Sequence, residues 1–211
     1  MRRDHLFPAS VHVQKWAAPL VLSAAALLSG CAAPVRAPAP LLYDFGPPVA
    51  AAPTPASNSR PLLAVRVQAS PVLDTPAMLY RLGYADAQQL RAYTQSRWAM
   101  APAELLQQRL RDGLGQRFAL LPPGESAPRL LHIELDEFSQ LFSAPADSSG
   151  LLRLRASVLQ RTPGGTQQLA QRELQLQRPA PSADAVGGVR ALSAATDAAV
   201  QELAQWLQTL P

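Results

Sequence analysis

Leu131-His132-Ile133-Glu134-Leu135-Asp136 is the stretch on which the fold turns. Apolar and polar residues alternate strictly, the period of a strand whose two faces meet different surroundings. Leu131, Ile133 and Leu135 point one way, and His132, Glu134 and Asp136 the other. At Glu137-Phe138 the phase slips, which predicts a bulge. Beyond a polar loop, Ala144–Gly150, the pattern resumes: Leu152, Leu154, Ala156 and Val158 alternate with Arg153, Arg155 and Ser157. Pro163-Gly164-Gly165 turns the chain, and Leu169–Gln177 returns with Leu174 and Leu176 opposed to Glu173 and Gln175. This is an antiparallel meander with one apolar and one polar face.

An apolar sheet face has to be covered, and two helical segments can cover it. Downstream, Ser182–Leu210 carries Val189, Leu192, Thr196, Val200, Leu203 and Leu207 at helical spacing. Ser182 is the expected cap, with Asp184 in the first turn. Gly187-Gly188 weakens a helix by about 1 kcal/mol per glycine against alanine, so the pair predicts close packing on a neighbouring layer. Upstream, Pro102 suits a first helical turn, Glu104 suits the positive end of the dipole, and Leu106, Leu110 and Leu114 form a stripe. Gly113 or Gly115 ends it. A short apolar piece, Phe118–Leu121, then leads to a turn at Pro122-Pro123-Gly124.

Further upstream, Leu63, Val65 and Val67 alternate with Arg66 and Gln68 as a strand. Turn residues follow at Ser70-Pro71 and Asp74-Thr75-Pro76. Met78, Tyr80 and Leu82 predict a second strand and Gln89–Gln95 a third, joined as a hairpin around Tyr84-Ala85-Asp86. The fold class expected is α/β: a largely antiparallel or mixed sheet with two amphipathic helices packed on it, in one domain of two layers or three.

The leader reads differently. Arg2, Arg3 and Lys15 are basic, Trp16–Leu28 is apolar and falls short of the roughly 20 residues of a spanning helix, and Leu28-Ser29-Gly30-Cys31 closes the run. An aliphatic residue, two small residues and a cysteine form a bacterial lipobox. Residues 1–30 are then a signal peptide, and diacylglycerol is attached to the Cys31 thiol. Ala32 replaces the aspartate that signals inner-membrane retention, so sorting to the outer membrane, facing the periplasm, is expected. Residues 31–60 read as a lipidated Ala/Pro-rich linker that reaches roughly 90 Å if fully extended, and 61–211 as the folded domain. One apolar break, Leu41-Leu42-Tyr43-Asp44-Phe45-Gly46, reads as a short strand or a segment that docks on the domain.

The composition excludes several kinds of chemistry. Net charge is +4 for the whole chain, and half of that belongs to the leader, which does not argue for nucleic acid. Cys31 is the only cysteine, and His132 is the only histidine after it, so disulfides within the chain and Cys/His zinc sites have no ligands. No G-x-S-x-G nucleophile elbow and no phosphate-binding glycine loop is present. His132, Glu134 and Asp136 lie about 6–7 Å apart along one strand face. With Arg153, Arg155 and Glu173 on neighbouring strands they read as an exposed charge ladder rather than a metal or acid–base site. No catalytic residue, metal or cofactor is expected. Tyr80, Tyr84, Tyr93 and Trp98 concentrate beside Arg81, Arg91 and Arg97 in an aromatic-poor chain. They read either as a small aromatic core or as a partner interface centred on Tyr80, Arg81, Tyr93, Arg97 and Trp98.

Tyr80-Arg81, Arg91-x-Tyr93 and Ser96-Arg97-Trp98-x-x-x-Pro102-x-x-Leu105-Leu106, in this order, resemble the ABC-type transport auxiliary lipoprotein family, which includes the paraquat-inducible protein C lipoproteins. So do Glu137-Phe138-Ser139-Gln140-x-Phe142, Arg153-x-Arg155-Ala156, Pro179–Ala185 and Tyr43-x-x-Gly46. The resemblance implies a non-catalytic component of an ABC system that moves lipids or other hydrophobic molecules between membranes. Its implied partner is a periplasmic protein with an Mce domain. A lipid carrier with its own groove between helix and sheet is the alternative.

Overall fold

Strict alternation in the central stretch makes one long strand, and the rest of the sheet is arranged along it. A computed structural model describes residues 38–47, 62–122, 125 and 127–211. The signal-peptide and lipobox residues Leu28, Ser29, Gly30 and Cys31 lie outside them. Among the described residues, eight strands and two helices follow in chain order. They are β1 (Leu41–Tyr43), β2 (Leu62–Ala69), β3 (Ala77–Leu82), β4 (Asp86–Trp98), α1 (Pro102–Leu114), β5 (Ala119–Leu120), β6 (Arg129–Ala144), β7 (Asp147–Thr162), β8 (Gly165–Pro179) and α2 (Ala185–Gln208).

On one flank of β6 lies β7, antiparallel along its whole length, and then β8. On the other flank β2 and β3 follow each other, both parallel to β6: β2 beside Arg129–Leu135 and β3 beside Gln140–Phe142. β5 adds to β2, β4 to β3 and β1 to β4. The sheet is therefore mixed, within the expected α/β single-domain class. The slip at Glu137 is a bulge that leaves Asp136 unpaired with β7, and it falls between the stretches of β6 that β2 and β3 occupy.

The polar loop expected at Ala144–Gly150 does not exist. Ala144 pairs with Asp147, so a two-residue turn at Pro145-Ala146 closes a much longer hairpin. The compact unit takes in Ala39–Pro211. β1 belongs to it, although β1 lies inside the stretch read as linker.

Both helices lie against the sheet and against each other. In α1, Leu106, Leu110 and Leu114 are fully buried, each contributing about 2 kcal/mol of burial. Gly115 is its C-cap, while Gly113 lies inside the helix where Val200 of α2 presses on it. In α2 the apolar stripe is widened by buried Ala191, Ala195, Ala199 and Ala204. The buried Thr196 hydroxyl donates to the Leu192 carbonyl 2.9 Å away, which satisfies it within the helix. Asp184, not Ser182, is the cap. Its carboxylate accepts from the Gly187 N–H at 2.7 Å and from the Ser182 hydroxyl at 2.7 Å. Those two hydrogen bonds, the backbone one first, hold Asp184 below the usual carboxylate range.

Gly188 does meet a neighbouring layer: a Cβ there would run into the Gln140 side chain and lie 3.1 Å from Met78 Cε. Gly187 is constrained by the carbonyl of Ser182, within its own entry loop. No helix among the described residues is long and apolar enough to cross a membrane.

Candidate interaction surface

Neighbouring residues on a strand point to opposite faces, and this scatters the Tyr/Arg/Trp group read from the sequence. Tyr80 and Tyr93 meet on the helix side of the β3–β4 hairpin, ring centroids 4.6 Å apart, with Phe142 5.9 Å from Tyr80. The Tyr93 hydroxyl donates to Gln140 Oε1 at 2.9 Å, and Gln140 Nε2 donates to Ser148 Oγ at 2.8 Å. Gln140 is fully buried, so this chain of hydrogen bonds satisfies an amide in the core beneath the start of α2.

Arg81 points the other way. Its guanidinium is 3.1 Å from the buried Glu137 carboxylate and donates to the carbonyls of Ala87 and Gln88. It ties the start of β4 to β6 and is not free for a partner.

Trp98, 1 % exposed, is core. It packs edge-on to Phe45 at 5.6 Å and against Phe138 at 5.5 Å. Of the five candidates only Arg97 is exposed, and it forms no ion pair among the described residues. The five therefore do not make one surface: side-chain alternation separates Tyr80 from Arg81, and burial removes Trp98.

Burial, with the Tyr80 and Asp184 charges as lesser causes, pushes the Tyr93 phenol up to about 12 from 10.0. The neutral phenol is the hydrogen-bond donor, so the fold favours the protonated form. Its contribution is complete below pH 10 and is lost as pH rises from 10 towards about 12. Ultraviolet titration of phenolate should show one tyrosine ionising about two pH units late. Tyr93→Phe should abolish that late step; its survival in the variant would assign it to another tyrosine.

Leu41–Gly46, read from the sequence as a short strand or docking segment, is both, but the sequence missed what holds it. Phe45 is buried against Trp98 and Phe138, and a single arginine on α1 secures it. Arg109 is 6 % exposed. It donates to the Phe45 carbonyl, sets its Nε 3.2 Å from Asp197 on α2, and lies 5.9 Å from the centroid of the Phe45 ring. One guanidinium thus joins the chain's entry into the domain to both helices. Leu106 and Leu110 around it gave the helix away, but nothing in the spacing marked Arg109 as an inward residue.

The polar sheet face carries the ladder expected of it. Arg155 bridges Glu173 at 3.1 Å and Glu134 at 3.0 Å, and those hydrogen bonds raise its pKa further. Exposed pairs of this kind add little to stability. Among the described residues no group of three His, Cys, Asp or Glu side chains is placed to hold a metal ion. A crevice of about 230 Å³ between α1 and α2 is lined by Arg109, Asp112, Gln116 and Arg117 together with Gly113, Val200 and Ala204, and is smaller than most sites that enclose a ligand.

The family described as the ABC-type transport auxiliary lipoprotein component matches residues 43–204, from the end of β1 to the last turns of α2. The chain belongs to this family. The match includes the Phe45–Arg109 clasp and the whole sheet around β6, so it covers the fold and not a local motif. Two solved structures share that fold. One is a Xanthomonas campestris protein of the DUF330 family, 21 % identical, covering 79 % of this chain and 94 % of its own, with a TM-score of 0.68. The other is an uncharacterized protein, 12 % identical, covering 81 % of this chain and 99 % of its own, with a TM-score of 0.63. No curated protein matches the chain.

Proposed function

We propose that this auxiliary lipoprotein is anchored in the outer membrane through Cys31, faces the periplasm, and serves an Mce-type ABC transport system for lipids or other hydrophobic molecules. It does so by binding the system's Mce-domain protein, without catalysis. The observation that carries the reading is the family match over residues 43–204. The leader supports the anchor: a basic start, a short apolar run, Leu28-Ser29-Gly30-Cys31 and then Ala32. Three acyl chains, at about 0.8 kcal/mol per buried CH₂, make such an anchor permanent, whereas one holds only marginally.

Labelled palmitate should enter the wild type and not Cys31→Ser. Ala32→Asp should move the labelled protein from the outer to the inner membrane fraction. Label in Cys31→Ser, or none in the wild type, overturns the anchor. Indifference to Ala32→Asp overturns the sorting.

A further inference from the structure

We infer that the β1 end of the domain is seated on the leaflet that carries the anchor, with Leu42 in the headgroup region. The inference rests on lipidation at Cys31.

Tether length carries it first. Because Leu41–Tyr43 pairs with Ser96–Trp98, the chain between Cys31 and the first paired residue is only Ala32–Pro40, not the whole stretch to residue 60. Fully extended, ten Cα steps from Cys31 to Leu41 reach about 35 Å. A compact unit spanning Ala39–Pro211 has a radius of gyration of about 16 Å, hence a width of about 40 Å. A path round such a body from its far side is about 60 Å, longer than the tether. β1 therefore cannot lie on the far side of the domain from the membrane.

What that face exposes is the second observation. Leu41 is 62 % and Leu42 67 % exposed, the two most exposed of the large hydrophobics described, and Met100 is also exposed. Met100 shares a cleft with Phe45 and Gly46, immediately after β1. Two exposed arginines flank the patch: Arg97, in register with Leu42, and Arg190, across a groove of about 660 Å³ from Leu42. Neither forms an ion pair among the described residues. Exposed Asp44 lines both the groove and the cleft, so the rim is of mixed sign; the apolar side chains are what suit the headgroup–acyl boundary of a phospholipid surface. A protein partner for this face is the competing occupant.

Cys31 is the only cysteine, so Leu42→Cys in the lipidated protein offers one reactive thiol. A polarity-sensitive nitrobenzoxadiazole label is placed there, or at Gly164→Cys on the β7–β8 turn, where nothing lies within 4 Å. Each protein is reconstituted in phosphatidylethanolamine/phosphatidylglycerol vesicles. The label at 42 should shift to the blue and lose iodide quenching several-fold, while the label at 164 stays as in buffer. Equal quenching at both sites in protein that floats with the vesicles overturns the inference. So does protection at 42 that needs no vesicles, or that appears only when the Mce-domain protein is added, since a protein then covers the face. Failure to float, with no palmitate incorporated, overturns the lipidation reading beneath it and is read separately.

Discussion

Replacing Gly150 with valine should cost about 3 kcal/mol, the upper part of the range for overpacking a filled core, and lower Tm by roughly 10 °C for a domain of this size. Gly150 lies on β7 where α2 crosses it. A Cβ there would stand 2.6 Å from the Leu192 nitrogen and 2.7 Å from the Ala191 carbonyl carbon. Those are main-chain atoms of a 24-residue helix, and they cannot rotate aside as the Gln140 amide beneath Gly188 can. The helix must lift, and the contacts of Leu192 and Ala195, both fully buried, loosen with it. Gly164→Ala is the control and should leave Tm unchanged. A Gly150→Val domain that melts with the wild type would show that α2 is not seated on β7 as described.

The reason Gly150 went unmarked in the sequence is physical. Asp147-Ser148-Ser149-Gly150 has the composition of a loop, and only cross-strand pairing with β6 makes it strand. The same limit applies elsewhere. Alternation along Leu131–Asp136 and Leu152–Val158, and the apolar stripes of both helices, are local signals, and they were legible, whereas the cap of α2 is Asp184 and not the expected Ser182. Parallel pairing of β2 and β3 with one flank of β6 is set by contacts distant in sequence and was not. Leu79 shows the consequence: alternation placed it on the face opposite Met78, yet it too is buried, and the register of β3 on β4 shifts between Ala77 and Leu79. The five candidate interface residues are divided for a related reason. Residue types suited to hot spots were counted along the chain, while the strand sends Tyr80 and Arg81 to opposite faces.

Arg109→Ala should release β1 from the domain. The substitution removes the donor to the Phe45 carbonyl, leaves Asp197 without its partner, and takes the guanidinium from the Phe45 ring. Truncating one member of a buried charged pair costs about 3–5 kcal/mol. Asp197 is 28 % exposed and can be rehydrated, so the lower end applies, with a fall in Tm of about 6–12 °C. Arg109→Lys should not restore the wild type, because an ammonium cannot span two acceptors as the planar fork does. The signature that separates a local release from general weakening is amide exchange. The Ala99 N–H, bonded to the Tyr43 carbonyl at 2.7 Å, should lose protection well before the amides of β7. Unchanged protection at Ala99 in Arg109→Ala would show that Phe45 packing alone holds the segment. A released β1 also lengthens the tether, so in the lipidated protein the same variant should free Leu42 from the leaflet.

Membership in the family makes this chain a part of a transporter, and its proposed work is to hold another protein at the membrane. The measurement that bears on this most directly is the affinity of the domain without its leader for the proposed Mce-domain partner, by calorimetry with purified components. Saturable binding in the micromolar range or tighter, about 8 kcal/mol or more, is the expected result. No binding between the two folded proteins would contradict the assembly role, and a phospholipid recovered with the purified domain in the same experiment would place it among carriers instead.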